Sequence, residues 1–133
     1  MADSNLKLDR LKLLYDYTKF HIGMYGTLMA VFSGIMTFGS QALSLQSLRI
    51  LKIAVLLLLI AAMSGGVVAS SMLDVYQNYG IWKSDGCIDA FWTKRIGPLK
   101  LELMSVKKWW LIEHTAFWVA VLIVIGGFLL RAS

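Results

Sequence analysis

Cysteine and proline occur once each, as Cys87 and Pro98, in a chain of 133 residues. A single cysteine excludes an intramolecular disulfide and any CxxC metal or redox pair. With one proline and no low-complexity tract, nothing marks a linker, so residues 1–133 read as one domain. Charge is scarce as well. Charged residues make up 16% of the chain, against about a quarter in soluble globular domains. Also missing are a glycine-rich phosphate loop, a GxSxG nucleophile and a pair of catalytic carboxylates, so no enzymatic chemistry is assigned.

What the chain has is apolar surface: 58% hydrophobic residues and a mean hydropathy of +0.67. Its net charge of +5 and pI near 9.5 are those of some nucleic-acid binders. The basic residues, however, sit at the edges of apolar runs, where they flank membrane spans, and no nucleic-acid partner is expected.

Three runs match the thickness of a bilayer. Residues 20–39 carry only His21 as an ionisable group, and a 20-residue helix rises about 30 Å, the hydrocarbon thickness. Residues 53–73 carry no charge and include the strongly inserting stretch Val55–Ile60. Residues 109–130 contain Glu113 and His114 near their start. Twelve Leu, Ile, Val and Phe residues there, at roughly −0.3 to −0.6 kcal/mol each, outweigh one carboxyl costing about 3 kcal/mol. The expected fold is an all-α integral membrane bundle of three transmembrane helices. Ahead of it, residues 1–19 form an amphipathic helical extension starting near Ser4. Ser40-Gln41-Ala42 resembles a signal-peptidase site, but the long, acid-containing segment before it argues for a retained first span.

Residues 40–52 read as a short polar turn, and 74–108 as a long loop with turn signals at Asp85-Gly86 and Gly97-Pro98. Three spans place the N-terminus and this loop on one side. Ten of the basic residues lie there (Lys7, Arg10, Lys12, Lys19, Lys83, Lys94, Arg95, Lys100, Lys107 and Lys108) and three on the other (Arg49, Lys52 and Arg131). The imbalance predicts a cytoplasmic N-terminus, in a bacterial inner membrane. Tyr76, Tyr79, Trp82, Phe91, Trp92, Trp109 and Trp110 suit a loop that lies on the headgroups or caps the bundle.

Small residues recur at every fourth position: Gly26, Ala30 and Gly34 in the first span, Ala62, Gly66 and Ser70 in the second. Lipid gives helices no hydrophobic reason to associate, so contact depends on the close approach that small side chains permit. These positions are the expected helix-packing faces, within the chain or between chains. In the third span, Glu113 shares a face with Ala116, Phe117, Ala120, Val124 and Gly127, which turns the carboxyl into the bundle as an intramembrane polar site.

His114 and His21 enter from the same membrane side. Two histidines on two helices are the minimum for a bis-imidazole haem b site. A metal site of His21, His114, Glu113 and Asp74 lacks any HExxH-like spacing. The reading is therefore a non-enzymatic assembly subunit, binding lipid and either itself or another membrane protein, with no cofactor. Two alternatives stand beside it: a haem-binding or redox protein using His21 and His114, and an oligomeric pore or membrane-disrupting effector lined by Glu113.

Overall fold

The computed structural model describes residues 2–39, 41–77, 91–97 and 102–132. Most of them belong to α1 (Ala2–Phe38), α2 (Leu45–Gln77) and α3 (Val106–Ala132). A short ribbon pairs β1 (Arg95–Ile96) antiparallel with β2 (Met104–Ser105), Arg95 facing Ser105 and Ile96 facing Met104. The described chain is otherwise all-α, and each of these helices is long and apolar enough to cross a membrane.

No proline interrupts the three helices. The 37 residues of α1 rise about 55 Å, far beyond the roughly 30 Å of a hydrocarbon core. The N-terminal extension is thus one continuous helix with the first span, and Ser4 lies inside it instead of capping it. α1 stops at Gly39, whose N–H donates to the Ile35 carbonyl at 2.9 Å. A Cβ there would stand 2.7 Å from that oxygen, so the stop requires glycine. α2 then starts at Leu45, earlier than the expected residue 53, because the Ser44 hydroxyl accepts from the Ser47 N–H at 3.3 Å and caps the new helix. The expected loop 74–108 is trimmed at both ends, by α2 continuing to Gln77 and α3 beginning at Val106.

α2 packs along both other helices, while α1 and α3 meet mainly through long side chains. Its inward row is Ser47, Leu51, Ala54, Leu58, Ala61, Gly65, Val68 and Met72, all buried. The steps alternate four and three, a 3.5-residue period that keeps one seam facing a partner under left-handed supercoiling. α1 answers with Leu11, Leu14, Thr18, Ile22, Tyr25, Met29, Phe32 and Met36. α3 answers with Val106, Trp109, Glu113, Ala116, Ala120, Val124 and Gly127. Toward the C-terminal end of α3, a Cβ at Gly127 would come within 2.6 Å of the Ile50 side chain, which lies directly on the glycine.

Two apolar clusters result. One comprises Tyr25, Ala54, Leu58, Ala61, Ala116 and Ala120, with Phe32, Phe117 and Val124 against it. The other joins Val68, Met72 and Val106 to Phe91 from the connection, with Leu11, Leu14 and Trp110 around them. The described part of the connection therefore caps the bundle end, as one of the two expected placements had it. It is fastened by Trp109 Nε1 donating to the Ile96 carbonyl at 2.8 Å and Lys94 Nζ donating to Asp74 Oδ2 at 2.9 Å. The ion pair is half in solvent, and exposed pairs are worth about 0–1 kcal/mol. Asp74→Ala should accordingly shift the thermal midpoint in detergent by no more than a degree or two, with the cap kept by its apolar contacts. Tyr79, Trp82 and Cys87 lie outside the described residues.

Candidate functional site

Between the two apolar clusters lies a polar layer. Glu113, in the third turn of α3, is 1% exposed, as its company with Ala116 and Ala120 predicts. Its carboxyl lies flat on α2 at Gly65, where a Cβ would stand 3.1 Å from both the carboxyl carbon and Oε1, and 3.1 Å from Ile22. A methyl group at 65 would require the acid and Ile22 to yield by a few tenths of an ångström, and a larger side chain would displace them. From α1, Tyr25 Oη donates to Glu113 Oε1 at 3.1 Å, and the Tyr25 ring rests 5.2 Å from Phe117. Glu113 Oε2 is buried and has no hydrogen-bond partner among the described residues. Buried acceptors are nearly always paired, and an unpaired one carries a cost of about 1–3 kcal/mol.

One turn above Tyr25, the two histidines meet. The rings of His21 and His114 are 6.0 Å apart, tilted by 37°. Each is held in the same way. His21 Nδ1 lies 2.9 Å from the Tyr17 carbonyl, and His114 Nδ1 lies 3.0 Å from the Trp110 carbonyl. A carbonyl only accepts, so both Nδ1 atoms carry a proton, and in the neutral rings the Nε2 atoms present a lone pair. Each imidazole also packs, tilted, against the aromatic ring four residues before it, at 4.0 Å for Tyr17 and 4.2 Å for Trp110. The two helices thus present matching aromatic-x-x-x-His turns to one another.

The structure brings His21, His114 and Glu113 into this one layer, and adds Tyr25 and Tyr17, which the sequence reading did not single out, and Gly65, which runs beside the expected small-residue stripe of α2. The signal for the tyrosines was their spacing of four from His21, the helical neighbour distance. Asp74 is elsewhere: it pairs with Lys94, nine residues along α2 from Gly65, a rise of about 13 Å. Among the described residues no three His, Cys, Asp or Glu side chains already surround a metal-sized point.

The expected packing stripes sit differently. Gly26, Ala30, Gly66 and Ser70 are exposed and Gly34 and Ala62 only half-buried, while a Cβ at Gly26, Gly34 or Gly66 would meet nothing within 4 Å. Within the chain, the packing faces are those of Gly65, Ala61, Ala54, Ala116 and Ala120, one residue round from the expected stripe on α2.

Comparison of the chain with family models, with curated proteins and with solved structures finds no match in any of the three.

Proposed function

We propose that the chain is a three-span membrane protein, N-terminus and connection cytoplasmic in a bacterial inner membrane, working as a non-enzymatic assembly subunit that pairs with a second copy of itself through α1. The observation that carries this reading is a second seam on that helix. Asp9, Leu13, Asp16, Phe20, Gly23, Thr27, Ala30, Gly34 and Thr37 repeat with the same alternation of four and three as the inward row, two residues out of phase with it. Two residues turn a helix by about 200°, so the seam faces directly away from α2. All but the half-buried Gly34 are exposed, with Phe20 at 69%.

The seam suits a parallel copy of itself. Small residues at Gly23, Ala30 and Gly34 permit close approach in lipid. The hydroxyls of Thr27 and Thr37 donate to their own helix, at the Gly23 and Ser33 carbonyls, so neither needs a partner from outside. At the polar end a parallel two-fold pair sets Asp9 and Asp16 opposite their own copies, and Lys12 and Lys19 beside them offset that repulsion.

The test is mass in detergent. Wild type should run as a dimer or larger, and Gly34→Leu as a monomer with an unchanged thermal midpoint, since a Cβ at 34 meets nothing within 4 Å in its own chain. A monomeric wild type, or a Gly34→Leu dimer, overturns the reading. Orientation has its own check. A membrane-impermeant thiol reagent should label Ser133→Cys in intact cells and reach Cys87 only after lysis; labelling of Cys87 in intact cells reverses the topology.

The cofactor alternative gains one specific support, the 6.0 Å approach of His21 and His114. A porphyrin entering between them has to extend past the next helical turn, about 5.4 Å away. There the Tyr25 ring bridges to Glu113 and Phe117. The arrangement favours a small ligand over haem, and an absorption spectrum without a Soret band is the expected result. A pore lined by Glu113 gains no support, because the carboxyl is shut inside its own chain.

A further inference from the structure

A cleft of about 200 Å3 separates α1 from α2, walled by Leu11 and Tyr15 on one side and by Met72 and Leu73 on the other. Lys12, at its mouth, is turned about 180° round α1 from His21, so the cleft opens on the flank away from α3. Leu73 ends the uncharged run 53–73, which sets the cleft where hydrocarbon gives way to headgroups. The mouth is charged. Lys12 and Asp16, both exposed and one turn apart, line it with opposite signs, and neither has an ion-pair partner among the described residues. At about 30 Å3 per water, the volume is that of roughly seven waters, room for a headgroup and too little for a whole lipid.

From Leu73 an exposed track runs down α2 through Ser70 and Gly66 to Met63. Those ten residues rise about 15 Å, half the hydrocarbon core and so the depth of one leaflet. A Cβ at Gly66 meets nothing within 4 Å, and the Ser70 hydroxyl donates to the Val67 carbonyl, so the floor of the track is shallow and needs no polar partner.

We propose that cleft and track bind one phospholipid whose headgroup carries a primary ammonium, a phosphatidylethanolamine of the leaflet on the N-terminal side. Lys12 takes the phosphate, Asp16 takes the ammonium, and one acyl chain lies along Ser70 and Gly66. A cation and an anion at one mouth match a zwitterion. An anionic headgroup sets its charge against Asp16, and a quaternary ammonium has no N–H to donate to the carboxylate. Only Asp16 is shared with the seam proposed for pairing, so the site serves a monomer and a dimer alike.

The experiment adds phosphatidylethanolamine, phosphatidylcholine or phosphatidylglycerol of identical chains to delipidated full-length protein in detergent, and reads bound lipid per chain by native mass spectrometry. Wild type should hold one phosphatidylethanolamine about fivefold more tightly than either competitor, the worth of one charge at a lipid surface. Lys12→Gln should weaken it about fivefold, and Asp16→Asn should shift the preference to phosphatidylglycerol. Leu73→Trp, which fills the cleft with both charges kept, should abolish the preference. All three positions are exposed, so the variants should keep the wild-type thermal midpoint without lipid. Gly34→Leu should bind as wild type does, which separates this site from pairing through α1. Equal binding of the three lipids by wild type overturns the proposal, as does a preference that survives Asp16→Asn or Leu73→Trp.

Discussion

Gly65→Leu should destroy the bundle, while Gly66→Leu, one residue along, should leave it intact. At position 65 even a methyl group would lie 3.1 Å from the Glu113 carboxyl and 3.1 Å from Ile22, so a leucine has to displace side chains from α3 and α1 together. Overpacking of this kind costs typically about 1–3 kcal/mol and sometimes more. Here the displaced carboxyl also loses its bond from Tyr25, which adds about 1–3 kcal/mol. A total near 4 kcal/mol is comparable to the whole stability of a small domain. At position 66 a Cβ meets nothing within 4 Å. The thermal midpoint and far-ultraviolet helicity of the two variants in the same detergent settle the matter, and similar losses in both would mean that α2 is rotated relative to its neighbours. Gly65→Ala should fall between, because the Glu113 and Ile22 side chains can each yield a few tenths of an ångström.

That pair of glycines shows where sequence reading stops. Apolar runs reveal three helices without ambiguity, because an uncharged stretch of bilayer length has few other uses. The turn of each helix is harder. α2 carries small residues at 61, 62, 65, 66, 69 and 70, which make two adjacent stripes about 100° apart, and periodicity alone cannot choose between them. Only the neighbours do: Ala61 and Gly65 face Glu113 and Tyr25, leaving Gly66 and Ser70 toward the outside and Ala62 at the margin of the core. On α3 the choice was legible, since one strongly polar residue, Glu113, shared its face with Ala116 and Ala120, and the cost of putting a carboxyl into lipid decided the direction.

The start of α2 was misread for a related reason. Arg49 and Lys52 made residues 45–52 look like turn, but both point outward while Ser47 and Leu51 continue the inward row, so polarity on one face concealed a helix. The histidine pair was visible only as two residues entering from one side. Their meeting depends on how α1 and α3 are set by α2, which no local pattern encodes.

Tyr25→Phe should destabilise the protein by about 1–3 kcal/mol, and adding Glu113→Leu to it should restore most of the loss. In the single variant the carboxyl keeps its buried seat on Gly65 and loses its one hydrogen bond, leaving both oxygens unsatisfied. Glu113→Leu alone strands the Tyr25 hydroxyl, at a similar cost. Glu113→Gln should be close to neutral, because its amide oxygen can still accept from Tyr25 at nearly the same volume. When both partners become apolar, no polar atom of the pair remains to be desolvated, and such exchanges are often neutral or stabilising. Thermal midpoints of the four variants close the cycle. A neutral Tyr25→Phe would mean that the bond contributes nothing, and a double variant as unstable as the sum of the singles would mean that the carboxyl supports the fold by packing. If the double variant folds and keeps the wild-type mass in detergent, the fold has no need of Glu113.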